Sequence, residues 1–434
     1  MDNINKFILE LNTGDTDKVL KEYLPTNFHS NHFKNKTISG ENKIIILIKS
    51  VLLCIVYFSK FFLQILFKKK QKIKSKYKLL VYVPNLKFER YYLSLFNRKE
   101  SLDNLVISDT ILNIPSINPN IVLDSNFKYF SEVFLKSFIL CLNITLKNKT
   151  NYESLIHLFS SVKQCNYLNY FSTKTEFKKI FSLHPNGDLH FLLRYKFKNE
   201  IHSIRPTTTT YSEEHKYIKT DFLYYKSSSE LKVYSSYNLE SKFIQSGVLF
   251  KEIKKPKTKF NNKLKILFVD TVTNSNIDSS ITRRNGITDF YKCFSEIKNI
   301  IEVHHKFHPG LIKDEKNKTI NLIKPLDFVT SKENQNLSNF DVVIGFFSTL
   351  CYDALTNGIL FIELKGMYNL NPDLINSLHD SPSPKILDFN SMLRFRNIIS
   401  TDLQKLYDPN IWIHFYKKYN IPNGKNNLLK NLKK

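Results

Sequence analysis

Glycine is scarce in this chain, with ten in 434 residues. Neither a GxGxxG stretch nor a GxxxxGK stretch followed by Ser or Thr occurs, which excludes the usual glycine-rich cradles for dinucleotides and triphosphates. The five cysteines (Cys54, Cys141, Cys165, Cys293, Cys351) lack CxxC spacing. That excludes a zinc ribbon or a dense disulfide framework and fits a reducing, cytosolic setting. Acidic residues number 39 against 64 lysines and arginines, a formal charge of +25. Such an excess calls for nucleic acid, anionic lipid or a phosphate-bearing substrate as counterpart. No internal repeat, low-complexity tract or cleavable signal is evident.

What is present fits two domains, since a single core rarely grows beyond about 250 to 300 residues. After a polar beginning, residues 44–67 form one long apolar run, interrupted by Lys49 and Lys60. On a helix these lysines fall within roughly 20° of one another, with Gln64 near the same stripe. A rod with one polar edge suits the membrane interface better than the hydrocarbon, where a central lysine costs about 2.5 to 3.5 kcal/mol. Lys68, Lys69, Lys70, Lys72, Lys74, Lys76 and Lys78 follow directly, a basic run that would favour anionic lipid. A buried helix followed by a solvated basic linker is the alternative.

From residue 79 strand and helix patterns alternate. Strands are expected at 79–83, 104–107, 120–123, 200–204, 222–225 and 231–234, and helices at 131–142, 151–161 and 189–197. A lysine-rich stretch at 251–259 around Pro256 reads as a solvated linker. The second αβ unit opens with a strand at 264–270, a polar loop containing Thr271, Thr273, Asn274, Arg283 and Arg284, and a helix from about 289 to 297. A closing helix is expected at 409–419, with Asp408 as N-cap. The division is therefore an N-terminal segment 1–78, an αβ domain 79–255, a linker 256–262, an αβ domain 263–400 and a closing helix and basic tail 401–434.

Two strand ends in the second unit carry phosphate-suited chemistry. In the first, Lys306 and His308 project to one face while Phe307 packs behind, giving a point charge and a directional donor before Pro309 ends the ladder. In the second, Ser348 and Thr349 stand where an apolar strand passes into a helix that Gly358 can end, so hydroxyls and free amides converge. Singly, each has a plain structural reading: a strand-ending histidine, or a serine N-cap. No acidic residue stands three positions on to make a capping box. The loops after the other strand ends, at 184–188 and 205–215, are where such sheets place ligand contacts.

The pair KFHP and FFST, with an alanine-bearing helix and a GILFIEL strand downstream, resembles the HP and Ser-Ser/Thr motifs of bacterial sialyltransferases and polysialyltransferases of the GT-B fold. The related CDP-glycerol polymerases carry similar motifs. The resemblance covers mainly residues 262–365. It implies an α/β fold of two Rossmann-like domains of GT-B type, here with a membrane-associated N-terminal helix. It also implies a CMP-activated sugar held by the second domain, an acceptor held by the first, and inversion without a metal ion or cofactor. By motif position His308 binds the donor phosphate, and Ser348 and Thr349 hold it from the helix terminus; Lys306 joins this set, with Thr271, Thr273 and Asn274 as a possible donor loop. The chain lacks the family's acidic triplet ending in Gly, which supplies the base. Glu214, Glu213, Asp188 and His215 are the substitutes it offers.

Phenylalanines before Ser348, in place of the Thr-Asp-Tyr of the CDP-glycerol enzymes, favour an eight- or nine-carbon acidic sugar such as sialic acid or Kdo. The expected activity is glycosyl transfer to a capsule or lipopolysaccharide glycan or glycolipid, at the cytoplasmic face of the membrane on an anionic surface. A CDP-alditol phosphotransferase and a UDP-sugar transferase are the enzyme alternatives. A basic lipid- or nucleic-acid-binding peripheral protein is the alternative outside enzymes. The lysines beside an apolar helix, with no recognition motif, argue against nucleic acid.

Overall fold

The computed structural model describes residues 74–96, 100, 102–109, 112–116, 130–148, 152–206, 213–237, 239–247, 254, 256–257, 263–271, 277–308, 311–330, 336–346, 350–364, 384–386, 388–401, 405, 407–419 and 424–433, with the single helical positions 48, 52, 55, 56 and 59. The strand expected at 120–123 and most of 44–67 lie outside these residues. Among the described residues no helix is long and apolar enough to cross a membrane.

Two parallel sheets organise the molecule. The first contains β1 (Lys76–Tyr82), β2 (Asn104–Ile107), β3 (Glu176–Ser182), β4 (Glu200–Ile204), β5 (Phe222–Tyr225) and β6 (Lys242–Gln245), in the spatial order β2-β1-β3-β4-β5-β6. Connecting helices are α1 (Leu86–Leu95), α2 (Lys136–Asn148), α3 (Tyr152–Ser172), α4 (Asp188–Lys196) and α5 (Ser228–Ser235). Alternation along β1 splits the core. Leu80 and Tyr82 pack with α2, α3 and α4, whereas Leu79, Val81 and Val83 pack with Phe88, Tyr91 and Leu95 of α1. Both faces are covered, as the βαβ crossovers of a parallel sheet require.

The second sheet contains β7 (Leu264–Val269), β8 (Ile301–Lys306), β9 (Val329–Thr330), β10 (Val342–Gly345), β11 (Leu360–Leu364) and β12 (Lys385–Ile386). Its order is β12-β11-β10-β7-β8-β9, the strand order of a Rossmann domain. Its helices are α6 (Ile277–Ser295), α7 (Lys313–Ile323), α8 (Leu350–Thr356), α9 (Phe389–Thr401) and α10 (Pro409–Tyr419). Gly358 takes φ 72° just past α8, the left-handed conformation that ends a helix. Asp408 accepts from the Asn410 amide at 2.8 Å at the start of α10, as an N-cap does.

The last helix, α11 (Gly424–Lys433), returns to the first domain, where Leu428 and Leu432 join the core face lined by α1. Lys425 donates to the Ser94 carbonyl, and Lys179 on β3 donates to the Asn431 carbonyl at 2.8 Å. The end of the chain thus ties the two domains together.

Several elements differ from the sequence expectation. Residues 231–234 form part of α5, not a strand. Ser227 and Glu230 have the spacing of a helix start, and Glu230 reaches back to the Lys226 amide at 2.5 Å, which two turns of polar-apolar alternation conceal. Strand β3 is central yet carries adjacent lysines, Lys178 and Lys179, that break its period. The sheet begins at Lys76, not 79, because Lys76 and Tyr77 pair with Glu176 and Phe177. Arg283 and Arg284 lie on α6, which starts twelve residues before the expected helix, rather than in a loop. Lys257 is not merely solvated: its Nζ pairs with buried Asp341 at 2.7 Å and fastens the interdomain chain to the second sheet. Replacing Leu428 by Ala should lower stability by about 2 to 5 kcal/mol in urea unfolding, the usual cost of emptying a buried leucine site; a loss below about 0.5 kcal/mol would mean that α11 is not seated on this core.

Candidate active site

In the second sheet the chain direction of the crossovers reverses between β7 and β10, and crevices for ligands form outside the carboxyl ends at such a point. Strand β7 delivers Asp270 and Thr271, β8 delivers Lys306 and His308, and β10 delivers Gly345 and Phe346. Adjacent strands lie about 4.8 Å apart, so the β8 and β10 ends straddle the β7 loop at roughly 10 Å. The structure thus brings the HP stretch and the strand before Ser348 to the two sides of one crevice. Lys306 and His308 are half-buried, Phe307 packs against the core beneath them, and the His308 carbonyl accepts from the Leu311 amide at 3.0 Å as the chain turns away. Ser348, Thr349, Thr273 and Asn274 lie outside the described residues.

A buried polar network, missed from sequence, supports these strand ends. Arg283 on α6 has no exposed surface, and its Nε donates to Asp270 Oδ1 at 2.7 Å while an Nη donates to Oδ2. The same guanidinium donates to Thr319 Oγ1 at 3.0 Å and lies 3.7 Å from Glu315 on α7. His305, the inward neighbour of Lys306, places Nε2 3.2 Å from Asp270 Oδ2 and Nδ1 2.8 Å from the Tyr291 hydroxyl. Burial alone would raise the Asp270 carboxyl, but hydrogen bonds from His305 and Arg283 outweigh it and leave it below the usual carboxylate range. Its Oδ1 also accepts from the Thr271 amide at 2.8 Å, fixing the first residue of the β7 loop.

Gly345 is dictated by sterics. A Cβ there would stand 2.5 Å from the Val269 carbonyl oxygen, so only glycine lets β10 close on β7 at this edge.

The first domain presents a second polar edge. Asp109, two residues beyond β2, accepts a 2.5 Å hydrogen bond at Oδ2 from Tyr82, the last residue of β1. Burial, tempered by that bond, pushes its carboxyl up to about 6. His184, beyond β3, stacks on Phe88 of α1 with ring centres 5.6 Å apart. Burial lowers its imidazole to about 3, with repulsion from Arg205 and His190 adding to the effect. His215 is fully enclosed, 2.7 Å from the Asn186 amide through Nδ1 and edge-on to Tyr234 and Tyr237. Asp188 opens α4, and Glu213 and Glu214 open the single turn Glu213–Tyr217; their side chains lie outside the described residues.

The two edges face one another. Arg90, in the helix that follows β1, pairs with Asp353, in the helix that follows β10, at 2.9 Å. Each helix leaves its strand at the carboxyl end, so this pair joins the two carboxyl edges across a cleft.

Two Rossmann-like domains with facing carboxyl edges and a C-terminal helix returning to the first domain define the GT-B fold. Solved structures with this architecture include one described as a UDP-N-acetylglucosamine 2-epimerase from Listeria monocytogenes, 9% identical, covering 82% of this chain and 95% of that one at a TM-score of 0.50. A trehalose-6-phosphate synthase studied for glycosyltransfer with retention is 8% identical, covering 82% and 99% at a TM-score of 0.50. At such identities the likeness is one of fold. No family model and no curated protein matches the sequence.

Asp270→Asn should destabilise the protein by about 3 to 5 kcal/mol in urea unfolding, because buried Arg283 loses its hydrogen-bonded counter-charge and keeps only Glu315, 3.7 Å away. Because the carboxyl is held low in the folded state, its contribution is present above the ordinary carboxylate range and is lost as pH falls through the lower folded value. A change below about 1 kcal/mol at pH 7 would contradict the network's role.

Proposed function

We propose that this protein is a glycosyltransferase that draws a sugar from a nucleotide donor at the second domain and passes it to a hydroxyl held by the first. The observation that carries the reading is the position of Lys306 and His308 at the end of β8, beside the switch point and opposite the polar edge of the first domain. Transfer frees a nucleotide phosphate that gains negative charge as its bond to the sugar breaks. A lysine ammonium and an imidazole donor at that point stabilise the departing oxygen more than the bound donor, which is how such contacts accelerate a reaction. Ser348 and Thr349, next along from β10, complete the phosphate contacts by motif position.

The donor we assign is a CMP-activated acidic sugar of the sialic acid or Kdo type, transferred with inversion and without a metal ion to a bacterial surface glycan. The KFHP and FFST pair supports it. A UDP-sugar is the second reading, favoured by the UDP-linked substrate named for the Listeria protein of the same fold. Ile48, Leu52, Ile55 and Val56 are helical and exposed at i, i+4, i+7 and i+8, one apolar face ahead of the lysine run. That supports peripheral attachment to an anionic membrane at its cytoplasmic face.

Thermal shift with CMP, CDP, UDP and GDP separates the donors, since a ligand at about 100 times its dissociation constant stabilises by about 2.7 kcal/mol. Cytidine nucleotides should raise the melting temperature, and His308→Ala should weaken their binding about tenfold or more, the loss of a charge-assisted hydrogen bond. A response to UDP alone would transfer the assignment to the second reading, and no response to any of the four would sink the enzyme reading. Deleting residues 44–73, which leaves β1 whole, should release the protein from phosphatidylserine vesicles without altering the nucleotide response; continued sedimentation with vesicles would refute the attachment.

A further inference from the structure

The first domain's edge holds buried polar atoms that the fold does not use. Among the described residues, Asp109 Oδ1, His184 Nδ1 and Asn186 Oδ1 are buried with no hydrogen-bond partner. Native proteins leave few such atoms unmatched, and three that follow neighbouring strand ends call for a polar partner there. All three follow the carboxyl ends of β2 or β3, the strands on either side of β1.

Asp109 has the geometry a base needs. One oxygen is fixed, and the other is buried without a hydrogen-bond partner. Oδ2 is held by the Tyr82 hydroxyl at 2.5 Å. Tyr82 reaches that position because residue 187 is glycine: a Cβ there would stand 2.9 Å from its hydroxyl oxygen and 3.1 Å from its ring. His184, in the same group of loops, stacks on Phe88, and two residues along α1 Arg90 makes the ion pair to Asp353 beside the donor crevice.

Resting on the transfer reading above, we propose that Asp109 is the catalytic base, oriented by Tyr82 and removing the proton of the acceptor hydroxyl. The carboxylate takes that proton as the acceptor oxygen bonds to the anomeric carbon. The bond from that carbon to the donor phosphate oxygen breaks, its electron pair leaves on the nucleotide, and the new negative charge meets Lys306 and His308. Ionisable groups on the neighbouring elements include Tyr82 on β1, Glu89, Arg90 and Tyr91 on α1, His184 beyond β3 and Arg205 beyond β4. Glu89 is engaged with the Asn113 amide and side chain at 3.2 Å. Burial raises Asp109 and the bond from Tyr82 lowers it, and together they leave the carboxyl at about 6. A carboxyl in that range is ionised at neutral pH and still basic enough to accept a proton.

Nucleotide release from CMP-N-acetylneuraminic acid and UDP-N-acetylglucosamine, with water as the probe acceptor, tests this in the full chain. Asp109→Asn should lower kcat roughly 10²- to 10⁴-fold, the usual contribution of a positioned base, while leaving the thermal shift by CMP or UDP unchanged. The wild-type kcat/KM should fall on the acid side with a limb near 6. Tyr82→Phe removes a bond that favours the ionised form, so its limb should move to higher pH. Release by Asp109→Asn within tenfold of wild type overturns the proposal, as does a loss of the nucleotide shift in that variant, which would make Asp109 structural. An unmoved limb in Tyr82→Phe overturns the orienting role. Absence of release by the wild type from either donor overturns the transfer reading itself, an outcome distinct from a wild type that turns over and an Asp109 variant that does likewise.

Discussion

Beneath the crevice of the second domain, a carboxylate and a guanidinium with no exposed surface are held against each other. Asp270 follows β7, Arg283 comes from α6, His305 and Thr319 add hydrogen bonds to the pair, and Tyr291 in turn holds His305. Removing two charges from water is costly, and the ion pair with its added hydrogen bonds offsets that cost, while Arg283 Nη1 lies 3.7 Å from Glu315 without a hydrogen bond. Its consequence is positional. Asp270 holds the first amide of the β7 loop, and His305 holds the strand whose next side chain is Lys306. The β7 loop and the β8 side of the crevice are thus both referred to one buried point, the fixed geometry that the proposed phosphate contact requires.

A second constraint brings the other half of the chemistry into reach. The carboxyl edges of the two sheets are joined by Arg90 and Asp353, a partly exposed pair worth at most about 1 kcal/mol on its own. Its contribution is registry more than strength. Cohesion between the domains comes from α11, which buries Leu428 and Leu432 in the first domain after the chain has completed the second.

Much of this was legible in the sequence. The β8 and β10 strands, the end of α8 at Gly358 and the cap at Asp408 follow from period, φ preference and side-chain reach, all local properties. The two strand ends came together because runs of β-branched residues in an αβ chain make neighbouring parallel strands. What was not legible depends on contacts between distant residues. Lys178 and Lys179 disguised β3, because neither its central place nor the Asn431 carbonyl that receives Lys179 can be read from its own segment. Arg283 looked like a loop cation, since nothing local distinguishes it from a solvated arginine. Tyr82 and Asp109 are 27 positions apart and each looked like an ordinary strand-end residue; only the sheet order makes them partners. The carboxyl groups that the sequence offers for the base are those nearest in pattern to the missing acidic triplet, and Asp109, whose partner is 27 positions away, carries no such local signal.

The central claim is that a nucleotide sits at the β7, β8 and β10 edge of the second domain. Hydrogen exchange of the backbone amides, measured with and without whichever nucleotide stabilises the protein, tests this most directly. Slower exchange is predicted at Thr271, at 306–308 and in the first turn of α8, with the amino-terminal edges of both sheets unchanged. Protection confined to the first domain, or to the pocket between Lys78, Lys179 and Leu432 at its amino edge, would contradict the account.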